Sequence, residues 1–381
     1  MKKSIIVLLI LSLLTSTFAV VAYVMHSPEE SQEPLPLIRF KEGGFRIAHL
    51  TDFHEWMVIE KSSLNMDEQE TLTPHIENYI NTVIDIYQPD LVVLGGDNIF
   101  PLSMIYDYLR DIGVKTYKRM AEVFEGKNQY WTMVFGNHDS ESGVADKVDF
   151  WEAVKDYPHF IGGVHNTNAF SSFAWSGTDE NGYKDDRICN FSIPIYGKLG
   201  NPAFNIYLLD SGSYNQVYPF PYRYILDNQV DWYLTEATRL KEQNNGAPVP
   251  SLLFTHIPLI EHREAYIQDN IKIGRWAGIS PSDTRSRIFE DAFSFGDIRG
   301  IFTGHNHQNS ITTFYKRDGH KIMMAVTPQA EAEGYEDTTS VLRSRIVDIK
   351  EGGDFSTFID TSAPEFADRI EYGEVLSYSE G

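Results

Sequence analysis

Residues 91–94 read Leu-Val-Val-Leu, set between Asp90 and Gly95-Gly96-Asp97. A run without polar alternation is a strand covered on both faces, as in the parallel sheets of α/β proteins. The surrounding chain fits that reading. Residues 45–51 form a short β-type run. Thr73-Pro74 opens a helix, Thr being a good N-cap and Pro suited to the first helical position. Ile76, Tyr79, Ile80, Val83, Ile84 and Tyr87 follow at helical spacing, and Pro89 ends it. A second helix runs to about residue 124 and a third strand covers 130–135. Further strands are expected at 205–209, 251–254, 300–302, 311–315, 321–326 and 344–349, with a helix over 227–241. Residues 160–200 read as irregular strands and loops inserted between core elements. The sum is an α/β protein in one large domain, whose strand-rich second half leaves room for a second sheet.

Charge narrows the partners. Lys and Arg total 32 against 54 for Asp and Glu, a net charge of −22, so a polyanion would be repelled unless a basic patch intervened. The basic residues are scattered, with nothing denser than Lys115/Lys118/Arg119 or Arg343/Arg345. Nucleic acid polymers are therefore not the expected partner, and no protein partner is indicated. The single cysteine, Cys189, cannot form an internal disulfide or a thiolate zinc site and reads as a buried apolar residue.

The N-terminus reads as an export signal. Lys2 and Lys3 precede an apolar run over residues 5–25. Ala19 and Ala22 suit cleavage, while the length of the run equally suits a membrane anchor. The expected organisation is a signal peptide or anchor at 1–25, an acidic, Pro-rich linker at 26–40, a folded domain at 41–362 and a surface tail at 363–381. Such a protein would be secreted, periplasmic or anchored on the outer face of a membrane, touching the bilayer only through that anchor.

Five polar clusters each follow an expected strand: Asp52-Phe53-His54, Gly95-Gly96-Asp97-Asn98, Gly136-Asn137-His138-Asp139, Thr255-His256 and Gly304-His305-Asn306-His307. Strand ends are where α/β folds gather ligand-binding groups. Asp, His and Asn without sulfur suit Zn, Mn or Fe. The seven candidate ligands are Asp52, His54, Asp97, Asn137, His256, His305 and His307. That is more than one ion needs, and it fits two ions sharing a carboxylate at roughly 3.5–4 Å separation.

In this order the clusters resemble the DxH, GD, GNHD, H and GHxH motifs of calcineurin-like metallophosphoesterases, over residues 47–307. Gly96-Asp97-Asn98-Ile99-Phe100 and Phe254-Thr-His-Ile-Pro-Leu259 are similar to the purple acid phosphatase-like branch. Purple enzymes place a metal-binding Tyr three residues after the GD aspartate, and Phe100 stands there. The resemblance thus implies a two-metal site without tyrosinate. The branch often reads GHDH where this chain has Asn306.

The same resemblance implies a four-layer αββα sandwich. It assigns Asp52, His54 and His307 to one divalent ion (Mn, Fe or Zn), Asn137, His256 and His305 to a second, and Asp97 to a bridge between them. It implies in-line attack on phosphorus by a metal-bridging hydroxide, with His138 protonating the leaving alkoxide and Asp139 orienting the His138 ring. The expected activity is phosphomonoester hydrolysis on a small phosphorylated substrate. A phosphodiesterase or nucleotidase on the same metals is the first alternative, and an inactive metal-binding surface module the second.

Single motifs of this kind are weak; all five in order are not. His262 and Arg263 are candidates for phosphate or leaving-group contact on loop position alone, with Tyr214 and Tyr335 weaker still. His26, His49, His75, His159, His165 and His320 carry no pattern, and Trp232 reads as a core residue of its helix. Asn190-Phe-Ser192 matches a glycosylation sequon.

Overall fold

A computed structural model of the chain describes residues 38–56, 72, 74–100, 108–141, 145–178, 184–214, 222–330, 343–360 and 376–379. The expected signal segment, most of the linker and Tyr335 lie outside the described residues. None of the helices among the described residues is long and apolar enough to cross a membrane.

In chain order the elements are β1 (Phe45–Leu50), β2 (Glu55–Trp56), α1 (Pro74–Tyr87), β3 (Leu91–Leu94), β4 (Ile99–Phe100), α2 (Tyr108–Gly126) and β5 (Trp131–Met133). Next come α3 (Lys147–Val154), β6 (Ser171–Trp175), β7 (Arg187–Tyr196), β8 (Pro202–Leu208), α4 (Asp227–Gln243), β9 (Ser251–Phe254), α5 (Ile260–Gln268) and α6 (Ile288–Phe295). The chain closes with β10 (Ile298–Thr303), β11 (Thr312–Arg317), β12 (His320–Val326), β13 (Ser344–Ile349), β14 (Phe355–Asp360) and β15 (Leu376–Tyr378).

Six strands form one sheet in the order β15-β14-β13-β1-β3-β5, and seven form a second in the order β11-β12-β10-β9-β8-β7-β6. In the first, β1, β3 and β5 run parallel. In the second, β8, β9, β10 and β12 run parallel. Antiparallel strands complete both sheets.

The period-two alternation of strands sorts side chains between layers. Ile206, Leu208, Leu252, Phe254, Phe302 and Met323 join β1, β3, β5, α1 and α2 in one core, which therefore lies between the sheets. Their neighbours Tyr207, Leu253, Ile301 and Met324 point the other way, onto Val230, Tyr233 and Ala237 of α4 and Ile288 and Phe289 of α6. The result is two mixed sheets face to face with helices outside, the four-layer αββα arrangement.

Three expectations change. Within 160–200, β7 is a ten-residue strand of the second sheet, with Ile193 and Ile195 fully buried. Its alternation is disguised by Pro194, which lies beyond the stretch that pairs with β6, where a strand tolerates proline. Leu376–Tyr378, in the expected tail, pairs with β14 and buries Leu376 and Tyr378. Asn190 is no glycan acceptor here: it is fully buried, its amide donates to Phe173 O and Arg187 O, and its Oδ1 accepts from Gln229.

Candidate metal centre

All five clusters meet where the two sheets face each other. Asp52 and His54 follow β1, Asp97 follows β3, and Asn137 and His138 follow β5, all from the six-stranded sheet. His256 follows β9, and His305 and His307 follow β10, from the seven-stranded sheet. Parallel strands carry their carboxyl ends to one rim, and here two rims close on each other. Backbone bonds fix the loops: Asp52 N–H donates to Gly96 O at 2.9 Å, His54 N–H to Asp97 O at 3.0 Å, and Gly304 N–H to His256 O at 3.2 Å.

These loops are tight. Asp52, His54, Asp97 and His305 adopt left-handed φ of 57°, 49°, 51° and 69°, a region non-glycine residues enter at a cost of about 1–3 kcal/mol each. Strain of this kind persists where the fold over-determines it, and it concentrates at functional sites. Two glycines make room: a Cβ on Gly136 would stand 2.1 Å from Asp97 Oδ1, and one on Gly304 would stand 2.2 Å from Thr51 Oγ1.

Each carboxylate is split in purpose. Asp52 Oδ2 accepts from Thr51 Oγ1 at 2.7 Å and His305 N–H at 3.0 Å, while Asp97 Oδ1 accepts from His138 N–H at 2.7 Å. The second oxygens turn inward. Asp52 Oδ1 lies 3.5 Å from His307 Nε2 and 3.7 Å from His54 Nε2. Asp97 Oδ2 lies 3.0 Å from His256 Nε2 and 3.7 Å from His54 Nε2. Asp52 Oδ1, Asp97 Oδ2, His54 Nε2, His256 Nε2 and Asn137 Oδ1 are all buried, and none makes a well-directed hydrogen bond. Buried polar atoms are ordinarily satisfied, so the unsatisfied oxygens and nitrogens of Asp52, His54, Asp97 and His256, with successive neighbours 3.0–3.7 Å apart, fit cations, and Asn137 Oδ1 is a fifth such atom in the neighbouring loop. The ligand atoms of Asp52, His54 and His307, and those of Asp97, His256 and His305, lie within 4.8 Å of one another in each group. The residues present therefore fit two ions, with Asp97 between them.

Charge agrees. Burial alone would raise the pKa of Asp52, yet His256, His307 and His54 hold it below the carboxylate range. Burial disfavours the His54 cation, but Asp52 and Asp97 lift its pKa to about 10. His256, likewise opposed by burial, is lifted to about 9 by Asp97 and Asp52. His256 Nδ1 lies 2.8 Å from Gly95 O, which leaves Nε2 for the centre. The two carboxylates thus favour positive charge in this pocket.

The ring of His138 faces the same space, Nε2 lying 3.9 Å from Asp97 Oδ2. Its Nδ1 pairs with Glu141 Oε2 at 2.6 Å. Asp139 does not orient it, contrary to the expectation from sequence. The Asp139 carboxylate is buried in the other direction, accepting from the N–H groups of Asp97 (2.9 Å), Asn98 (3.0 Å) and Gly136 (2.7 Å) and from Tyr117 Oη (2.8 Å). Phe100, in place of the purple enzymes' tyrosine, stacks on His54 at 5.6 Å between centroids and meets His138 edge-on at 4.7 Å. It buttresses two imidazoles rather than offering an oxygen.

The sequence pattern of calcineurin-like phosphoesterases matches residues 45–309. The chain belongs to this family. Among curated relatives, "Probable inactive purple acid phosphatase 29" of Arabidopsis thaliana is 28% identical over 313 residues, spanning 78% of this chain and 76% of its own. "Probable inactive purple acid phosphatase 14" of the same plant is 24% identical over 330 residues, 82% of this chain and 77% of its own. "Phosphatase DCR2" of Saccharomyces cerevisiae is 28% identical over 234 residues, 58% of this chain and 36% of its own. A solved dimetal phosphatase from Danio rerio covers 88% of this chain and is itself covered in full, with TM-score 0.52 and 11% identity, a likeness of fold.

Two residues proposed from sequence do not join the family centre. His262, on α5, is 1% exposed and packs against the backbone of Ile301 and Ala325 on the helix side of the sheet, where burial pushes its pKa down to about 4. It is a core residue. The Arg263 guanidinium donates to Ile279 O at 3.3 Å, tying down the segment whose Ala277 and Gly278 wall a cavity of about 270 Å³ over His305 and His307. Tyr214, by contrast, is closer to the chemistry than its sequence context suggests: its Oη accepts from Asn137 Nδ2 at 2.7 Å. Glu141 and Tyr222, whose ring lies 4.4 Å from that of His305, carried no signal in sequence beyond their residue type.

Proposed function

We propose that this protein is an exported, two-metal phosphomonoesterase acting on small phosphorylated substrates. The observation that carries the reading is the set of five buried, unsatisfied donor atoms from Asp52, His54, Asp97, Asn137 and His256, with the His138 ring beside them. Two divalent ions, when bound, supply Lewis acidity toward the phosphoryl oxygens and an activated water for attack. The chain's own residues do the rest. Asp97 sits between the two ligand groups and sets their spacing. Tyr214 accepts from the Asn137 amide, which leaves Asn137 Oδ1 turned inward. His138 offers Nε2 as the acid for the leaving alkoxide: burial works against its charged form, but Asp97 and Glu141 raise its pKa. Burial of the centre excludes bulk water from these groups.

The deciding experiment strips the protein of metal and reloads it with Mn²⁺, Fe²⁺ or Zn²⁺. Bound metal is counted, and turnover of p-nitrophenyl phosphate is compared with that of bis-p-nitrophenyl phosphate. Two ions per chain and monoester turnover support the reading. A diester preference replaces it with a phosphodiesterase, and absence of metal removes it. The names of the plant relatives favour a second reading, an inactive metal-binding module, which two bound ions without turnover of either ester would establish. Fractionation of cells of the source, with sequencing of the mature N-terminus, tests export and cleavage.

A further inference from the structure

Arg343 and Arg345 are isolated from other cations in the sequence but not in space. A cavity of about 520 Å³ beside the metal centre is lined by Lys272, Arg275, Arg343 and Arg345, with Phe358 and Ile359 closing an apolar side. Among its described lining residues there is no carboxylate, in a chain whose net charge is −22.

Arg345 makes this cluster more than a patch of solvated surface. It is 1% exposed. Its guanidinium donates to Thr327 Oγ1 at 3.1 Å, Thr312 Oγ1 at 3.0 Å, Thr357 Oγ1 at 3.2 Å, Val326 O at 2.8 Å and Ser310 O at 3.4 Å. Every one of these acceptors is neutral. Hydrogen bonds satisfy its geometry, but no carboxylate among the described residues pairs with its charge, and a buried charge without a counter-charge is costly. Burial alone pulls its pKa down to about 9. Lys272 and Arg275 stand at the mouth, both exposed. Lys272 Nζ lies over the Tyr266 ring at 4.3 Å, and Arg275 Nη2 donates to Gln308 Oε1 at 2.8 Å. Gln308 follows His307 and belongs to the walls of both this cavity and the one over His305 and His307.

We propose that this cavity is a second oxyanion site, which takes a phosphate group alongside the metal centre. Lys272 and Arg275 donate to it directly, and the buried charge of Arg345 supplies the field behind them. The group is either free inorganic phosphate or a second phosphate of the substrate, held while the first lies at the metals. The latter form rests on the phosphomonoesterase reading.

Equilibrium dialysis of the metal-loaded full chain against labelled inorganic phosphate tests the site without reference to turnover. Two sites per chain are expected, one lost on chelation of the metals and one retained. Lys272→Ala combined with Arg275→Ala changes exposed side chains outside the sheet ladders, and is expected to weaken the retained site by about ten- to a hundredfold. A single site that disappears with the metals and ignores the double substitution overturns the proposal, and leaves metal content and p-nitrophenyl phosphate turnover to judge the phosphomonoesterase reading separately. The source of the phosphate is read from kcat/KM. If it is the substrate's own, the double variant loses activity on a hexose bisphosphate and keeps it on p-nitrophenyl phosphate. If kcat/KM for both is unchanged while the retained site is lost, the ligand is free phosphate.

Discussion

The His138 ring is held by Glu141, whose Oε2 lies 2.6 Å from Nδ1. The two are three residues apart: His138 opens a 3₁₀ turn, His138–Ser140, and Glu141 caps its end. In that turn, side chains at i and i+3 eclipse, which places the carboxylate under the imidazole.

Glu141→Gln is therefore expected to reduce kcat by about ten- to a hundredfold while leaving metal content unchanged, the usual penalty for removing an orienting partner. Asp139→Ala should act differently. It strips four buried N–H groups, of Asp97, Asn98, Ile99 and Gly136, and the Tyr117 hydroxyl of their acceptor, which costs at least about 3 kcal/mol. Thermal melts of the two variants separate these roles: a Glu141 variant that melts as low as the Asp139 variant would contradict the assignment.

His138→Ala should retain both ions and lose about a hundred- to ten-thousandfold in turnover, the range for a positioned general acid. Asp97→Ala should lose metal as well, because both ligand groups depend on its Oδ2. Metal analysis by plasma emission, paired with p-nitrophenyl phosphate assays, checks both. Unchanged turnover in the His138 variant removes its acid role.

Tyr214→Phe deletes only the hydroxyl that accepts from Asn137 Nδ2. The Asn137 amide is then free to rotate, and metal affinity is expected to fall by about tenfold with little change in melting temperature. Competition against a fluorescent chelator measures this directly, and an unaltered affinity would show that the backbone alone fixes Asn137.

Asp297 gives a pH dependence far from the metals. It is 1% exposed and accepts from the Tyr233 hydroxyl at 2.5 Å, and burial raises its pKa to about 6. The folded state thus holds this proton more tightly than the unfolded state, whose carboxyl titrates near about 4. Its contribution to stability is full below that pH and is lost as pH rises through about 6. Asp297→Asn should flatten this slope, raising the melting temperature at pH 8 by about a few degrees relative to wild type and changing little at pH 4. Parallel melting curves across that range would argue against the shift.

The convergence of the five clusters was legible because each follows an apolar strand, and parallel strands deliver their ends to one rim. The strands β8 and β9, buried on both faces, were legible as apolar runs. What the sequence concealed is local and three-dimensional. Nothing in the order His138-Asp139-Ser140-Glu141 says whether the adjacent or the third residue meets the ring; the 3₁₀ geometry decides it. His262 lies near His256 in sequence, but the helix begins between them and turns it onto the far face of the sheet. Pro194 masked the longest strand, and the cations of the oxyanion cavity come from segments separated by about seventy residues, beyond any local pattern.

Asp97 belongs to one sheet and His256 to the other, yet their side chains meet at 3.0 Å. Ions bound there would act as a clasp where the rims of the two sheets meet. Opening the two layers would mean surrendering the metals, so the resistance of the whole molecule to heat would grow with the logarithm of free metal above its dissociation constant. The melting point of this protein would in that sense be a gauge of the metal supply in the medium around it.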